Sequence, residues 1–120
     1  MNKEKDNIIL TKSFEFALEI IELYKQMKAQ NEYVLSKQIL RSGTSIGANV
    51  EEAMAGFSKR DFIHKMSISS KEARETKYWL RLIQHSQIVD VEISSMLAQV
   101  EELIRILTSI VKTSQDSIQN

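Results

Sequence analysis

Residues 41–53 read RSGTSIGANVEEA, a run of small and polar residues inside a segment that otherwise has the pattern of a helix. At 3.6 residues per turn, one side of that helix carries polar and small residues, and the adjacent side carries apolar ones. The first stripe comprises Gln38, Ser42, Ser45, Asn49, Glu52 and Gly56, and the second comprises Leu35, Ile39, Ile46, Val50, Ala53 and Phe57. A helix with both stripes on its inward side is expected to pack closely and to form hydrogen bonds at the contact.

Two glycines lie inside this helix, Gly43 and Gly47, and each costs ~1 kcal/mol relative to alanine in a helix interior. Their i, i+4 spacing permits close approach of a neighbouring backbone, and the alternative is a break in the helix between them. We predict an unbroken helix over about 33–56, with Asn31 or Ser36 as its N-cap.

Three further amphipathic segments flank this one, with Ser58 and Asp90 as predicted N-caps of the last two. The predicted helices span about 9–29, 59–86 and 90–113, and the polar tails are 1–7 and 114–120. Long helices joined by short turns are typical of an all-α, up-down-up-down antiparallel four-helix bundle, here a single domain over 1–120.

The first helix is apolar over an arc of about 220°, twice what one bundle face needs. Its first stripe is Leu10, Phe14, Ala17, Leu18, Ile21 and Tyr24, and its second stripe is Phe16, Ile20, Leu23 and Met27. The wide arc indicates that this helix also lies at a subunit interface. We expect its first stripe in the core, and its second stripe at that interface together with the small-polar stripe of the second helix.

The third helix has a core stripe with two carboxylates beside it, Glu72 and Glu75, and these need partners because an unpaired buried charge is costly. The stripe is Phe62, Met66, Ser69, Ala73, Thr76, Leu80 and Ile83.

Composition is that of an ordinary globular protein, with 42% hydrophobic and 27% charged residues. The absence of cysteine excludes a disulfide framework and a thiolate metal site, and we expect a cytoplasmic protein. No apolar run approaches the ~18–20 residues of a membrane span, so we expect no membrane partner. The net charge is zero, but residues 57–86 carry seven Lys/Arg against three acids.

Signatures of catalysis are missing. Carboxylate-bridged metal sites in bundles need two Glu-x-x-His pairs, and only Asp61-x-x-His64 comes near this pattern. There is no Gly-x-Ser-x-Gly elbow and no phosphate-loop lysine after the glycines. We therefore expect a protein that is not an enzyme and has no metal or cofactor.

Polar residues of the second and third helices form the first candidate site. They are Arg41, Ser42, Ser45, Asn49, Glu52, Glu72 and Glu75. One interpretation is a ligand pocket, and the other is a buried network that fixes helix register or subunit contact. We favour the structural network, since buried polar groups are best attested in such roles.

A basic arc on the third helix forms the second candidate site. Lys71, Arg74, Tyr78, Arg81 and His85 recur at helical spacing on the side away from the core. Cations around an aromatic ring could bind phosphates and stack a base. The alternative is a solvated face with ordinary pairs such as Lys71 with Glu75.

The run RSGTSIGANVEEA, then DF at 61–62, then KMSISSKEARETKYWLRLI at 65–83, resembles the four-helix bundle proteins of the 23S rRNA intervening-sequence family. More distantly, the chain is similar to the accessory protein of diversity-generating retroelements. The resemblance covers about residues 10–107. The family's recurrent polar residues fall here on Arg41, Ser42, Ser45, Asn49, Glu52 and Glu75.

This resemblance implies that the chain forms a ring-shaped homopentamer, so that its first expected partner is another copy of itself. The retroelement relatives bind reverse transcriptase and nucleic acid through a basic surface, which implies RNA, DNA or a nucleic-acid enzyme as a second partner. Two features differ from the family pattern: Ala53 and Gly56 replace its usual Gly and Arg, and the chain is neutral rather than basic.

Overall fold

Four helices make up the protein in a computed structural model that describes residues 3–119, and no strand occurs in that range. They are α1 (Lys3–Ala29), α2 (Leu35–Met54), α3 (Lys59–Ser86) and α4 (Ser94–Gln119). The molecule is an elongated rod of 51 × 21 × 20 Å. Its length is set by the helices, since 27 residues at 1.5 Å each give about 40 Å.

Each helix packs against two others, in the cyclic order α1, α2, α3, α4 and back to α1. The core lies along the centre of this ring and receives apolar side chains from all four helices. The predicted core stripe of α3, from Phe62 to Ile83, is buried at every one of its seven positions. On α1 the prediction was wrong: Phe16, Ile20, Leu23 and Met27, expected at a subunit interface, are buried in the core of the single chain. The reason is that α2 packs against this side of α1, where Gly43 faces Ile20.

The second helix runs through both glycines without a break, as predicted. At Gly43 the reason is steric: an added Cβ would lie 2.7–2.9 Å from three side-chain carbons of Ile20 on α1. At Gly47 an added Cβ would meet Ser13 at ordinary contact distances of 3.4–3.5 Å. Close approach of α1 therefore requires glycine at 43 only.

The ends of α1 and α4 were predicted too short. Residues 3–7, expected as a polar tail, belong to α1, where the Lys5 ammonium donates to the Ser109 hydroxyl of α4 at 2.5 Å. The C-terminal tail expected from 114 is helical to Gln119, and Ser114 is buried. Contact between these two ends extends both helices beyond their apolar patterns.

The predicted end of α2 was also wrong. The helix stops at Met54, so Gly56 and Phe57 lie in the α2–α3 connection, and the Phe57 side chain is fully exposed. Ser58 caps α3 as predicted, because its hydroxyl accepts from the Asp61 amide at 3.1 Å.

Neither Asn31 nor Ser36 caps α2; the buried Glu32 carboxylate accepts instead from the Val34 and Ser36 amides at 3.2 and 2.7 Å. These are amides that the first helical turn leaves unpaired.

Asp90 does not cap α4, which begins four residues later. The Glu92 carboxylate accepts there from both the amide and the hydroxyl of Ser94, at 2.9 and 2.5 Å. These hydrogen bonds lower the pKa of Glu92 from its ordinary value.

The connections α1–α2 and α3–α4 are tied together by one side chain. The Gln30 amide nitrogen donates to the Asp90 carbonyl at 2.9 Å, and the Asp90 amide donates to the Gln30 side-chain oxygen at 2.7 Å. This reciprocal pair fixes the two turns relative to each other.

Candidate functional site

A clamp of charged residues joins α2 to α3 at the surface. The Arg41 guanidinium donates to Glu72 at 3.1 Å and also to Glu75, and the Trp79 indole N–H donates to the same Glu75 oxygen at 2.9 Å. The Glu72 and Glu75 side chains are 18% and 34% exposed, and that of Arg41 is 49% exposed. Both carboxylates thus have the partner that their position beside the core stripe requires.

Beneath the clamp lies a buried hydroxyl contact. The Ser42 and Thr76 hydroxyls are joined at 2.9 Å, and the Ser69 hydroxyl donates to the Ile46 carbonyl of α2 at 2.8 Å. All three hydroxyl residues are fully buried. Sequence reasoning placed Ser69 and Thr76 in the core stripe without linking them to α2; the available signal was that they are the only polar residues in that stripe.

The remaining members of the predicted network bond elsewhere. Ser45 donates to the Arg41 carbonyl at 2.6 Å and Asn49 donates to the Ser45 carbonyl at 2.8 Å, both within α2. Glu52 pairs with Lys65 of α3 at 2.7 Å. Of the seven predicted residues, Arg41 thus joins Glu72 and Glu75 directly, and Ser42 and Glu52 make separate contacts with α3. Ser45 and Asn49 bond to backbone carbonyls of α2.

The predicted basic arc lies on the outer face of α3, the stripe that points away from the core. Lys71, Arg74, Tyr78, Arg81 and His85 are all exposed. The same stripe extends toward the start of α3 through residues that sequence reasoning missed, namely Arg60, His64 and Ser67.

Ion pairing divides the cations of α3 into two groups. Lys65 and Lys77, at its two edges, pair with Glu52 of α2 and Glu101 of α4. The Lys71–Glu75 pair considered from the sequence is not formed, because Glu75 pairs with Arg41. Arg60, Lys71, Arg74 and Arg81 have no carboxylate within 4 Å in the described part of the chain, so this face keeps its positive charge.

The first apolar stripe of α1, which we expected in the core, is partly exposed instead. Phe14 is 61% exposed and Leu18, one turn later, is 51% exposed; we call these two residues the outer face of α1. Leu10, Ala17, Ile21 and Tyr24 are half-buried along its border.

Residues 3–119 contain no group of three or more His, Cys, Asp or Glu side chains arranged to hold a metal ion. Asp61 and His64 lie near the start of α3 with exposed side chains. In the same range, no helix is both long and apolar enough to cross a membrane.

Comparisons with known proteins agree with the resemblance noted from the sequence motifs. Among solved structures, the chain is similar to a protein of unknown function from the S23 ribosomal protein family of Bacteroides thetaiotaomicron, with 48% identity and a TM-score of 0.85. That match covers 90% of this chain and 98% of the other. No curated protein matches the chain. The sequence model of the 23S rRNA-intervening sequence proteins matches residues 5–109, and the chain therefore belongs to the 23S rRNA-intervening sequence protein family.

Proposed function

We propose that this protein is a non-enzymatic, cytoplasmic assembly protein: an up-down-up-down antiparallel four-helix bundle that associates with copies of itself. Contacts between helices support the antiparallel arrangement. Lys5 of α1 contacts Ser109 of α4, whereas Lys12, later in α1, contacts Glu102, which is earlier in α4. In the same way, Lys59 of α3 contacts Ser117 of α4, whereas Lys77, later in α3, contacts the earlier residue Glu101.

The observation that carries self-association is the outer face of α1. Two large apolar side chains, Phe14 and Leu18, lie side by side in solvent on a helix whose other apolar stripe already fills the core. Burying them on association removes apolar surface from water at about 25 cal/mol per Å². A neutral chain also adds no net repulsion between copies.

The size of α1 limits how this contact is built. A helix about 40 Å long and 10–12 Å wide offers on the order of 400 Å², whereas a standard interface buries about 800 Å² per partner. A helix that packs beside α1, either α2 or α4, therefore contributes the rest of the surface. The number of copies in the proposal, five, rests on the family resemblance.

The absence of catalysis in this proposal is supported by how the polar groups are used. The candidate acids Glu52, Glu72 and Glu75 are engaged by Lys65 and Arg41 and support the α2–α3 contact. Ser42 and Thr76 are buried against each other.

The test is the native mass of the particle compared with the 13.8 kDa protomer. The double variant Phe14→Glu/Leu18→Glu places charges on the outer face of α1, and we expect it to sediment as a protomer with unchanged helix content. The matched control is Phe57→Glu, which makes the same change at a fully exposed loop position and should keep the wild-type mass. A wild-type protein of 13.8 kDa, or a double variant of wild-type mass, contradicts the proposal.

A second candidate function, nucleic-acid binding, is favoured by the unpaired cations on the outer face of α3. Tyr78 lies among them, 51% exposed, and packs edge-to-face on Trp79 with ring centroids 5.3 Å apart. An exposed aromatic held among cations is the arrangement used to stack bases and bind a phosphate backbone.

The test of this second function is retention of a fluorescently labelled single strand at low salt. With four cations engaged, log K should fall against log salt with a slope of about −3. Lys71→Glu/Arg81→Glu should abolish retention, whereas Lys37→Glu, at an exposed lysine of α2 that has no ion pair among the described residues, should leave it unchanged. No retention of the wild type at low salt contradicts this function.

A further inference from the structure

A groove between α3 and α4 lies beside the outer face of α3. It has a volume of about 260 Å³ and is lined by Ser67, Ser70 and Arg74 from α3 and by Thr108, Lys112 and Gln115 from α4. A second hollow of about 490 Å³ shares Ser67 and Gln115 with it and adds Arg60 and His64. The two hollows are therefore adjacent along α3 and α4, and we call them together the α3–α4 groove.

The polar part of the groove's lining is positive and rich in hydrogen-bond donors, and Ile63, Val111 and Ile118 form its apolar part. Among residues 3–119, Arg60, Arg74 and Lys112 have no carboxylate within 4 Å, and no carboxylate lines either hollow. Asp116 lies one turn after Lys112 on α4, but its carboxylate is not within 4 Å of the Lys112 ammonium. Such a set of guanidinium, ammonium, hydroxyl and amide donors matches the oxygens of a phosphate group.

One hydrogen bond crosses the groove and joins α3 to α4. The Arg74 guanidinium donates to the Thr108 hydroxyl across the groove at 3.3 Å. That bond uses one of its five N–H donors and leaves the fork open for a bidentate contact. Arg74 thus belongs both to the outer face of α3 and to the groove, and joins the two.

The spacing of the cations indicates the kind of anion. Arg60 and Arg81 are 21 residues apart on one helix, which corresponds to about 31 Å. A free phosphate would contact one end of this line only, whereas a polyanionic chain can contact all of it.

We propose that the α3–α4 groove binds phosphates of a nucleic-acid strand whose bases meet Tyr78, so that α4 contributes Thr108 and Lys112 to a site that sequence reasoning assigned to α3 alone. This inference rests on the second candidate function above. Its additional prediction is that loss of the Thr108 and Lys112 side chains of α4, which lie outside the basic arc, weakens binding.

The experiment measures affinity of the full chain for a labelled oligothymidylate strand as a function of salt. Lys112→Ala should weaken binding severalfold at low salt and make the slope of log K against log salt shallower by about 0.7, the loss of one phosphate contact. Lys112→Arg should restore both values. Thr108→Val, which keeps the side-chain shape but removes the acceptor for Arg74, should weaken binding at an unchanged melting temperature. Lys37→Ala is the matched control.

The outcomes separate the two claims. If Lys71→Glu/Arg81→Glu abolishes binding while Lys112→Ala and Thr108→Val bind like the wild type, the second function stands and the groove proposal is wrong. If the wild type binds no strand at low salt, both are wrong. If inorganic phosphate at the same phosphate concentration displaces the strand, the groove binds a free anion rather than a strand, which also overturns the proposal.

Discussion

The two sides of α2 meet their neighbours in opposite ways. Toward α1, contact is steric: Gly43 leaves room for Ile20, and Gly47 lies against Ser13. Toward α3, contact depends on polar atoms, with the Ser42–Thr76 hydroxyls inside and the Arg41 clamp outside. One helix is thus positioned by the absence of side-chain atoms on its α1 side and by paired polar atoms on its α3 side. The two sides should therefore respond differently to substitution.

The largest effect is expected on the α1 side. Gly43→Val places a branched side chain where Ile20 already lies, and overpacking of this kind should lower the free energy of unfolding by about 3 kcal/mol. Urea unfolding measures it. Gly47→Ala is the control, since its Cβ fits at 3.4 Å and alanine favours helix by ~1 kcal/mol; it should be neutral or stabilising. Equal losses at 43 and 47 would show that steric closeness at Gly43 does not set this contact.

On the α3 side, Thr76→Val leaves the buried Ser42 hydroxyl without its partner, at a cost of about 1–3 kcal/mol. Adding Ser42→Ala removes both polar groups, so the double variant should recover most of that loss. Calorimetric melting of Thr76→Val, Ser42→Ala and the double variant completes the double-mutant cycle. Additive losses would mean that the hydroxyls act independently and that the α3 side is not set by their match.

A smaller effect is expected at the clamp. Arg41→Ala leaves Glu72 and Glu75 close together without a cation, but Arg41 is half exposed, so the loss should be about 1 kcal/mol. It should shrink in 1 M salt, because the ions screen the charges. Lys65→Ala removes the more exposed pair with Glu52 and should cost less than about 0.5 kcal/mol. A loss that does not depend on salt would assign Arg41 a packing role instead.

The smallest effect is expected at Ser36, a buried residue of α2. Ser36 is buried on α2, and its hydroxyl is without a hydrogen-bond partner in the described structure. Ser36→Ala should therefore raise the free energy of unfolding by about 0.5–1 kcal/mol, through relief of the unpaired group and higher helix propensity. A destabilised Ser36→Ala protein would reveal a polar contact at this position.

Elements with strong local patterns were predictable from the sequence. The α3 core stripe has apolar or small residues at every inward position, and Ser58 lies three residues before the Asp61 amide that it caps. The pairing of Glu72 and Glu75 followed from the cost of leaving charges near the core.

What could not be predicted depends on tertiary contacts or unusual geometry. The Glu32 and Glu92 carboxylates each accept from an amide two residues later, at the starts of α2 and α4. Both glutamates lie before the N-cap position, where a capping side chain is usually expected. The N-terminal turn of α1 contacts α4 through Lys5, which no local pattern encodes. The groove also escaped prediction, because Lys112 and Thr108 are ordinary exposed residues of α4 until the fold brings them to Arg74.

The chain has one tryptophan, Trp79, and its position lets the intrinsic fluorescence of the unmodified protein monitor both unfolding and ligand binding. Trp79 donates to Glu75 at the α2–α3 interface and touches the Tyr78 ring on the outer face of α3. Its fluorescence emission therefore comes from a single place that borders both surfaces. Separation of α2 from α3 exposes the indole to water and shifts the emission to longer wavelength. A base stacked on Tyr78 quenches it without that shift, so one optical spectrum distinguishes unfolding from ligand binding.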